Sequence, residues 1–83
     1  MNLTILNLKE TLFHGEVQSM TIPAAQGELT ILPNHVPIIT PLKKGVISAS
    51  TVKSERYAAE EKKYIECQNG ILEFSNNEAT ILL

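Results

Sequence analysis

The stretch Gly27-Glu28-Leu29-Thr30-Ile31-Leu32-Pro33-Asn34-His35-Val36-Pro37 constrains the fold more than any other part of the chain. A four-residue strand, Leu29 to Leu32, lies between a glycine-led turn and a segment closed by two prolines, so it must enter and leave a sheet abruptly. Pro33 and Pro37 hold φ near about −65° and donate no backbone hydrogen bond. The segment therefore stands at an end of the fold with Asn34 and His35 displayed. A stiff, polar-tipped loop reads as a contact site, and its plainer reading is a well-made corner of a β-protein.

The rest of the chain is written in period two. Leu3 and Ile5 alternate with Thr4 in a first strand, Leu3 to Leu8. Leu12-Phe13-His14-Gly15 brings an apolar pair to a glycine turn, after which Val17 to Ile22 forms a strand ended by Pro23. Ile38-Ile39-Thr40 resumes extended structure and Pro41 limits it. Val46 to Lys53 is the longest strand, with Val46, Ser48, Ser50 and Val52 on one side and Ile47, Ala49 and Thr51 on the other. Ser54 to Lys63 has the serine cap, acidic start and basic end of a short helix. With Tyr57 as its only bulky apolar residue, such a helix has almost no face to bury. A long hairpin connection is the favoured reading there, and a helix of one or two turns the alternative. Tyr64 to Cys67 alternates again, and Asn69-Gly70 is the strongest hairpin signal, expected to turn Ile71 to Phe74 back beside it. Ser75 to Glu78 turns once more into a closing strand with Ala79, Ile81 and Leu83 on one face. About eight strands at this spacing predict an all-β fold, a flattened sandwich or barrel of mostly antiparallel strands.

Eighty-three residues make a single domain, 1–83, that buries only about 60–65% of its unfolded surface. The single cysteine, Cys67, rules out an internal disulfide and reads as a small buried hydrophobe of a reducing compartment. A net charge of −2, with basic pairs only at Lys43-Lys44 and Lys62-Lys63, offers no field for nucleic acid. No apolar run reaches the roughly 18–20 residues that cross a bilayer, and the start of the chain lacks a secretory signal pattern, so direct lipid insertion is not expected.

Reactive chemistry is poorly supplied. His14, His35 and Cys67 have no metal-binding spacing. Glu28, Glu60, Glu61, Glu66, Glu73 and Glu78 fall in turns or on outward strand positions, where a solvated face explains them. The glycines are isolated and cradle no phosphate, and no nucleophile stands in a Gly-x-Ser-x-Gly elbow. The chain is expected to be no enzyme and to need no cofactor.

Taken in order, Phe13-x-Gly15-x-Val17, then Gly27-Glu28-Leu29-x-Ile31-Leu32-Pro33-x-His35-x-Pro37, then Leu42-Lys43-x-Gly45-Val46, and Gly70-Ile71-Leu72-Glu73-Phe74-x-x-Asn77 with Ala79 to Leu82, resemble the N-terminal domain of the ATP synthase epsilon subunit, called delta in mitochondria. The resemblance runs through essentially the whole chain. It implies a flattened ten-stranded β-sandwich that serves as a non-catalytic rotor part in the central stalk. One face would lie on the gamma subunit and one end on the polar loops of the membrane c-ring, so that ion-driven rotation reaches the catalytic head. On that reading Glu28, Leu29 and Pro33 face the c-ring, while His35 and Thr40 lie towards gamma. The protein would be peripheral on the cytoplasmic face of the bacterial inner membrane, within the F1 sector, and a monomer when isolated. Family members usually continue into two C-terminal helices that can inhibit ATP hydrolysis; this chain stops at Leu83, where those helices would begin, so the inhibitory role is not expected of it. The alternative is a free-standing sandwich holding a small ligand such as a sugar between its sheets. Phe13, Phe74, Tyr57 and Tyr64 give that reading little aromatic surface.

Overall fold

A computed structural model describes residues 1–52 and 60–83. These form nine strands: β1 Asn2–Leu6, β2 Thr11–Glu16, β3 Ser19–Ala24, β4 Gly27–Ile31, β5 Ile38–Leu42, β6 Gly45–Val52, β7 Glu60–Cys67, β8 Gly70–Ser75 and β9 Glu78–Leu82. One layer runs β2-β1-β9-β8-β5 and the other β4-β3-β6-β7. All strand pairs are antiparallel except β1 with β9.

The layers are joined at one corner, and two prolines make it. Ala24 on β3 pairs with Leu42 on β5. The Lys43 N–H donates to the Pro23 carbonyl at 2.8 Å, and the Ala25 N–H to the Pro41 carbonyl at 3.0 Å. Each proline therefore accepts one bond across the corner, and its missing N–H removes the reciprocal bond of that pair, so the pairing stops at this point. Pro23 and Pro41 accordingly lie within strands, whereas the local rule expected each to end or limit one. The curled sheet this produces is the flattened all-β sandwich that the alternation predicts.

Alternation decides what is inside. Leu3 and Ile5 of β1, Met20 and Ile22 of β3, Leu72 and Phe74 of β8, and Ala79 and Ile81 of β9 all enter a shared core with Ile31, Ile47 and Cys67. Each fully buried Leu, Ile or Phe side chain contributes about 1.5–3 kcal/mol of transfer free energy.

Two expectations and one alternative fail locally. Thr11–Glu16 is a strand, not an approach to a glycine turn: Gly15 pairs with Leu3, and the Phe13 ring covers the place its side chain would take, 3.5 Å from an ideal Cβ. Asn69-Gly70 is no hairpin, because β7 pairs with β6 while β8 pairs with β5 and β9. The left-handed pair is instead Asn76 (φ 50°) and Asn77 (φ 59°), which turn β8 into β9. The helix considered for Ser54 to Lys63 is excluded at its C-terminal part, since Glu60 to Lys63 pair with Ala49 to Val52; residues 53–59 lie outside the described residues.

Candidate functional site

Two ends and one face of the sandwich present the candidate side chains. At the first end, Leu32 to Pro37 form the exposed hook that the two prolines predict, with Leu32 57% and Val36 70% exposed. Its shape is fixed by three contacts. Asn34, at φ 65°, donates its backbone N–H to the Asn77 side-chain oxygen at 2.8 Å. The His35 N–H donates to the Leu32 carbonyl at 3.2 Å. The His35 ring donates from Nδ1 to the Val36 carbonyl at 2.7 Å, so Nδ1 carries a hydrogen. The same ring meets buried Phe74 edge to face, with centroids 6.1 Å apart. The hook is thus bolted to the core through Phe74 and to the β8–β9 turn through Asn77.

Asn77 also accepts the Asn2 N–H at its carbonyl, at 3.2 Å. Replacing Asn77 by Ala removes the acceptor for Asn34 and forces a Cβ residue to hold φ 59° without a local polar partner. A loss of about 2 kcal/mol is expected, and Asn77→Gly, which keeps the conformation and drops only the bond, should lose about half as much. Urea unfolding midpoints of the two variants check this ordering.

The opposite end carries the corner. It displays the Ala25-Gln26 turn with Glu28 beside it, Lys43-Lys44, and Gln68-Asn69. There too stands the β1–β2 connection, where the Asn7 carboxamide accepts the N–H groups of Lys9 and Glu10, both at 2.8 Å, and Leu8 is left 96% exposed. Glu28 and Pro33 belong to different ends. Glu28 pairs with Pro23 near the corner, whereas Pro33 follows the far end of β4, about 15 Å away at the usual rise of a strand. The structure therefore separates all three: Glu28 is exposed near the corner, Leu29 turns to the other face of β4 and packs on the core, and Pro33 stays with His35.

The face in question is the outer side of the β2-β1-β9-β8-β5 layer. Register places Leu6, Leu82, Ile71 and Pro41 in one row and His14, Thr4, Thr80, Glu73 and Ile39 in the next. Ile39 is 67%, Ile71 44% and Leu82 42% exposed. With Glu73 and Thr80 they line an open groove of about 330 Å³. Thr4 and His14 share a hydrogen bond of 2.9 Å at the far side of the face. Thr40, expected to touch a partner, is only 8% exposed and its hydroxyl donates to the Pro41 carbonyl. The outward positions at that point of β5 are Ile39 and Pro41, because alternation turns Thr40 inward with Leu42. Sequence reasoning did not single out this groove, since its lining comes from three strands far apart in the chain.

Among the described residues no three His, Cys, Asp or Glu side chains gather as metal ligands. Cys67 is buried, and burial pushes its thiol pKa up, which keeps it protonated and unreactive.

Comparison with known proteins adds to this geometry. The profile described as "ATP synthase, Delta/Epsilon chain, beta-sandwich domain" matches residues 1–83. The chain belongs to this family. An ATP synthase epsilon chain of Clostridium kluyveri is 42% identical over 82 residues, covering 99% of this chain and 58% of that protein. One from Leptospira borgpetersenii is 32% identical over 82 residues, covering 99% of this chain and 59% of its own length. The chain thus spans somewhat less than three fifths of the curated relatives it matches. Among solved structures, a chain of the Tetrahymena thermophila mitochondrial ATP synthase central stalk and c-ring superposes with a TM-score of 0.78 at 11% identity, covering 98% of this chain and 60% of that one. A chain of the Euglena gracilis mitochondrial ATP synthase OSCP/F1/c-ring structure gives 0.78 at 21% identity, covering 96% and 48%. Both show the same fold. The sandwich is therefore that of the delta/epsilon chain of ATP synthase.

Proposed function

We propose that this sandwich is the docking part of a non-catalytic central-stalk subunit, linking gamma to the c-ring so that ion-driven rotation is coupled to ATP synthesis. The observation that carries the reading is the outer face of the β2-β1-β9-β8-β5 layer, where Leu82, Ile71 and Ile39 stay exposed on a β-protein with a complete core of its own. Gamma covers that face, with His35 and Val36 of the hook at its border and Thr40 acting only by holding β5 in register. The c-ring loops meet the corner end through the exposed Glu28, with Leu29 holding β4 to the core beneath it; Pro33, held at the other end, falls to the gamma side. Torque transfer needs a body that does not bend between these contacts, and a sandwich with prolines at its corner and a bolted hook supplies one. In the bacterial setting of the relatives the subunit would be peripheral on the cytoplasmic face of the inner membrane.

The test is a titration of the purified chain against the gamma subunit of the same source. Binding at micromolar concentration or tighter is expected, with no ATPase activity in the chain alone, and Ile71→Asp should abolish the complex. No binding at that concentration, together with a thermal shift produced by a glycan, would favour the small-ligand sandwich instead.

A further inference from the structure

Within the groove the apolar surface is interrupted by one charge. Glu73 stands on β8 between Ile39 of β5 and Thr80 of β9, its register partners on either side. It is the one ionisable side chain among the groove's lining residues. Among the described residues it has neither a hydrogen bond nor an ion pair, although Ile71 and Leu82, themselves cross-strand partners, stand one step along the same face. While the face is open, water satisfies this carboxylate. Once an apolar partner surface closes over Ile39, Ile71 and Leu82, the water is gone, and an unmet carboxylate would oppose the docking that those side chains drive. The neighbouring Thr80 hydroxyl supplies at most one neutral donor.

A basic side chain answers both halves of the groove. Its methylene stem packs on Ile71 and Leu82 while its head reaches the carboxylate, and an arginine fork does so with two parallel bonds. We propose that the groove is a socket for a single basic side chain of the docking partner, Glu73 being the counter-charge that fixes where on the face the partner registers. This rests on the gamma-docking reading above and adds to it the chemistry that gamma must present.

Titration calorimetry of the chain against gamma at low and high salt, with Glu73→Gln, Glu73→Lys and Ile71→Asp, tests it. Because Glu73 points to solvent, both of its variants should melt with the wild type. Glu73→Gln should weaken binding by about tenfold and flatten its salt dependence, and Glu73→Lys by about a hundredfold. Replacing the lysines and arginines of gamma by glutamate one at a time should reveal a single position that restores binding to Glu73→Lys. Wild-type affinity in Glu73→Gln, with binding abolished by Ile71→Asp, would overturn the socket and leave the docking face standing. Unchanged binding in Ile71→Asp as well would move gamma off this face and overturn both.

Discussion

Phe74→Ala is expected to cost about 3–5 kcal/mol and to loosen the hook before the domain melts. Phe74 is 1% exposed and among the largest side chains in the core, so its removal leaves a cavity that strands on both sides cannot close without losing register. An 83-residue domain has only about 4–12 kcal/mol of stability in total, so this one change removes about a quarter of it or more. The second consequence comes from position. Phe74 pairs with Ile38 and Ala79 across β5 and β9 while its ring receives the edge of His35. The hook therefore loses its inner bolt together with the core. Phe74→Leu separates the two effects: it refills most of the volume, costing about 1 kcal/mol, but gives His35 no ring face. Urea unfolding followed by circular dichroism measures the first effect, and amide exchange at Asn34 and His35 the second. Exchange as slow in Phe74→Leu as in the wild type would show that the Asn77 tie alone holds the hook.

The same residues show what a local reading of sequence can and cannot reach. Alternation places Leu3, Ile5, Met20, Ile22, Ala79 and Ile81 in the interior correctly, because a strand with one wet face has only one register that buries its apolar side. The exposure of the proline hook is legible too, since it follows from φ and a missing donor, except at His35, which is half-buried against Phe74 and not displayed. What fails is whatever depends on partners distant in the chain. Pro23 and Pro41 stay within strands because each faces the other's segment at the corner, and Gly15 stays within one because Phe13 lies over it. Asn69-Gly70 has the composition of a hairpin, yet the strands it joins belong to different layers. The groove was invisible for the same reason: Ile39, Ile71 and Leu82 meet only through the β5-β8-β9 register. Glu28 and Pro33, close in sequence, are separated by the length of the strand between them.

Gly70 gives the sharpest test of that long-range control, and Gly70→Ala should destabilise the domain by about 3 kcal/mol or more. Gly70 has φ 159°, and an added Cβ would lie 2.6 Å from the carbonyl oxygen of Leu82 and 3.0 Å from the Leu83 side chain. The nearer obstacle is backbone in a paired strand and cannot swing aside, so β8 and β9 must separate at this point. At roughly 4–8 °C per kcal/mol for a domain of this size, the melting temperature should fall by about 15 °C. Gly27 supplies the comparison. Its φ is 131°, but nothing lies within 4 Å of an added Cβ, so Gly27→Ala carries only the backbone penalty of about 1–2 kcal/mol. If crowding rather than conformation requires glycine at position 70, the two variants differ by several degrees in a thermal scan; equal melting points would assign both to φ alone. The difference should also reach the docking face. Ile71, next to Gly70, is the cross-strand partner of Leu82, so parting β8 from β9 splits the apolar row that gamma is proposed to cover. Gly70→Ala should then bind gamma more weakly even well below its melting temperature, whereas Gly27→Ala, on the other layer, should keep wild-type affinity for gamma.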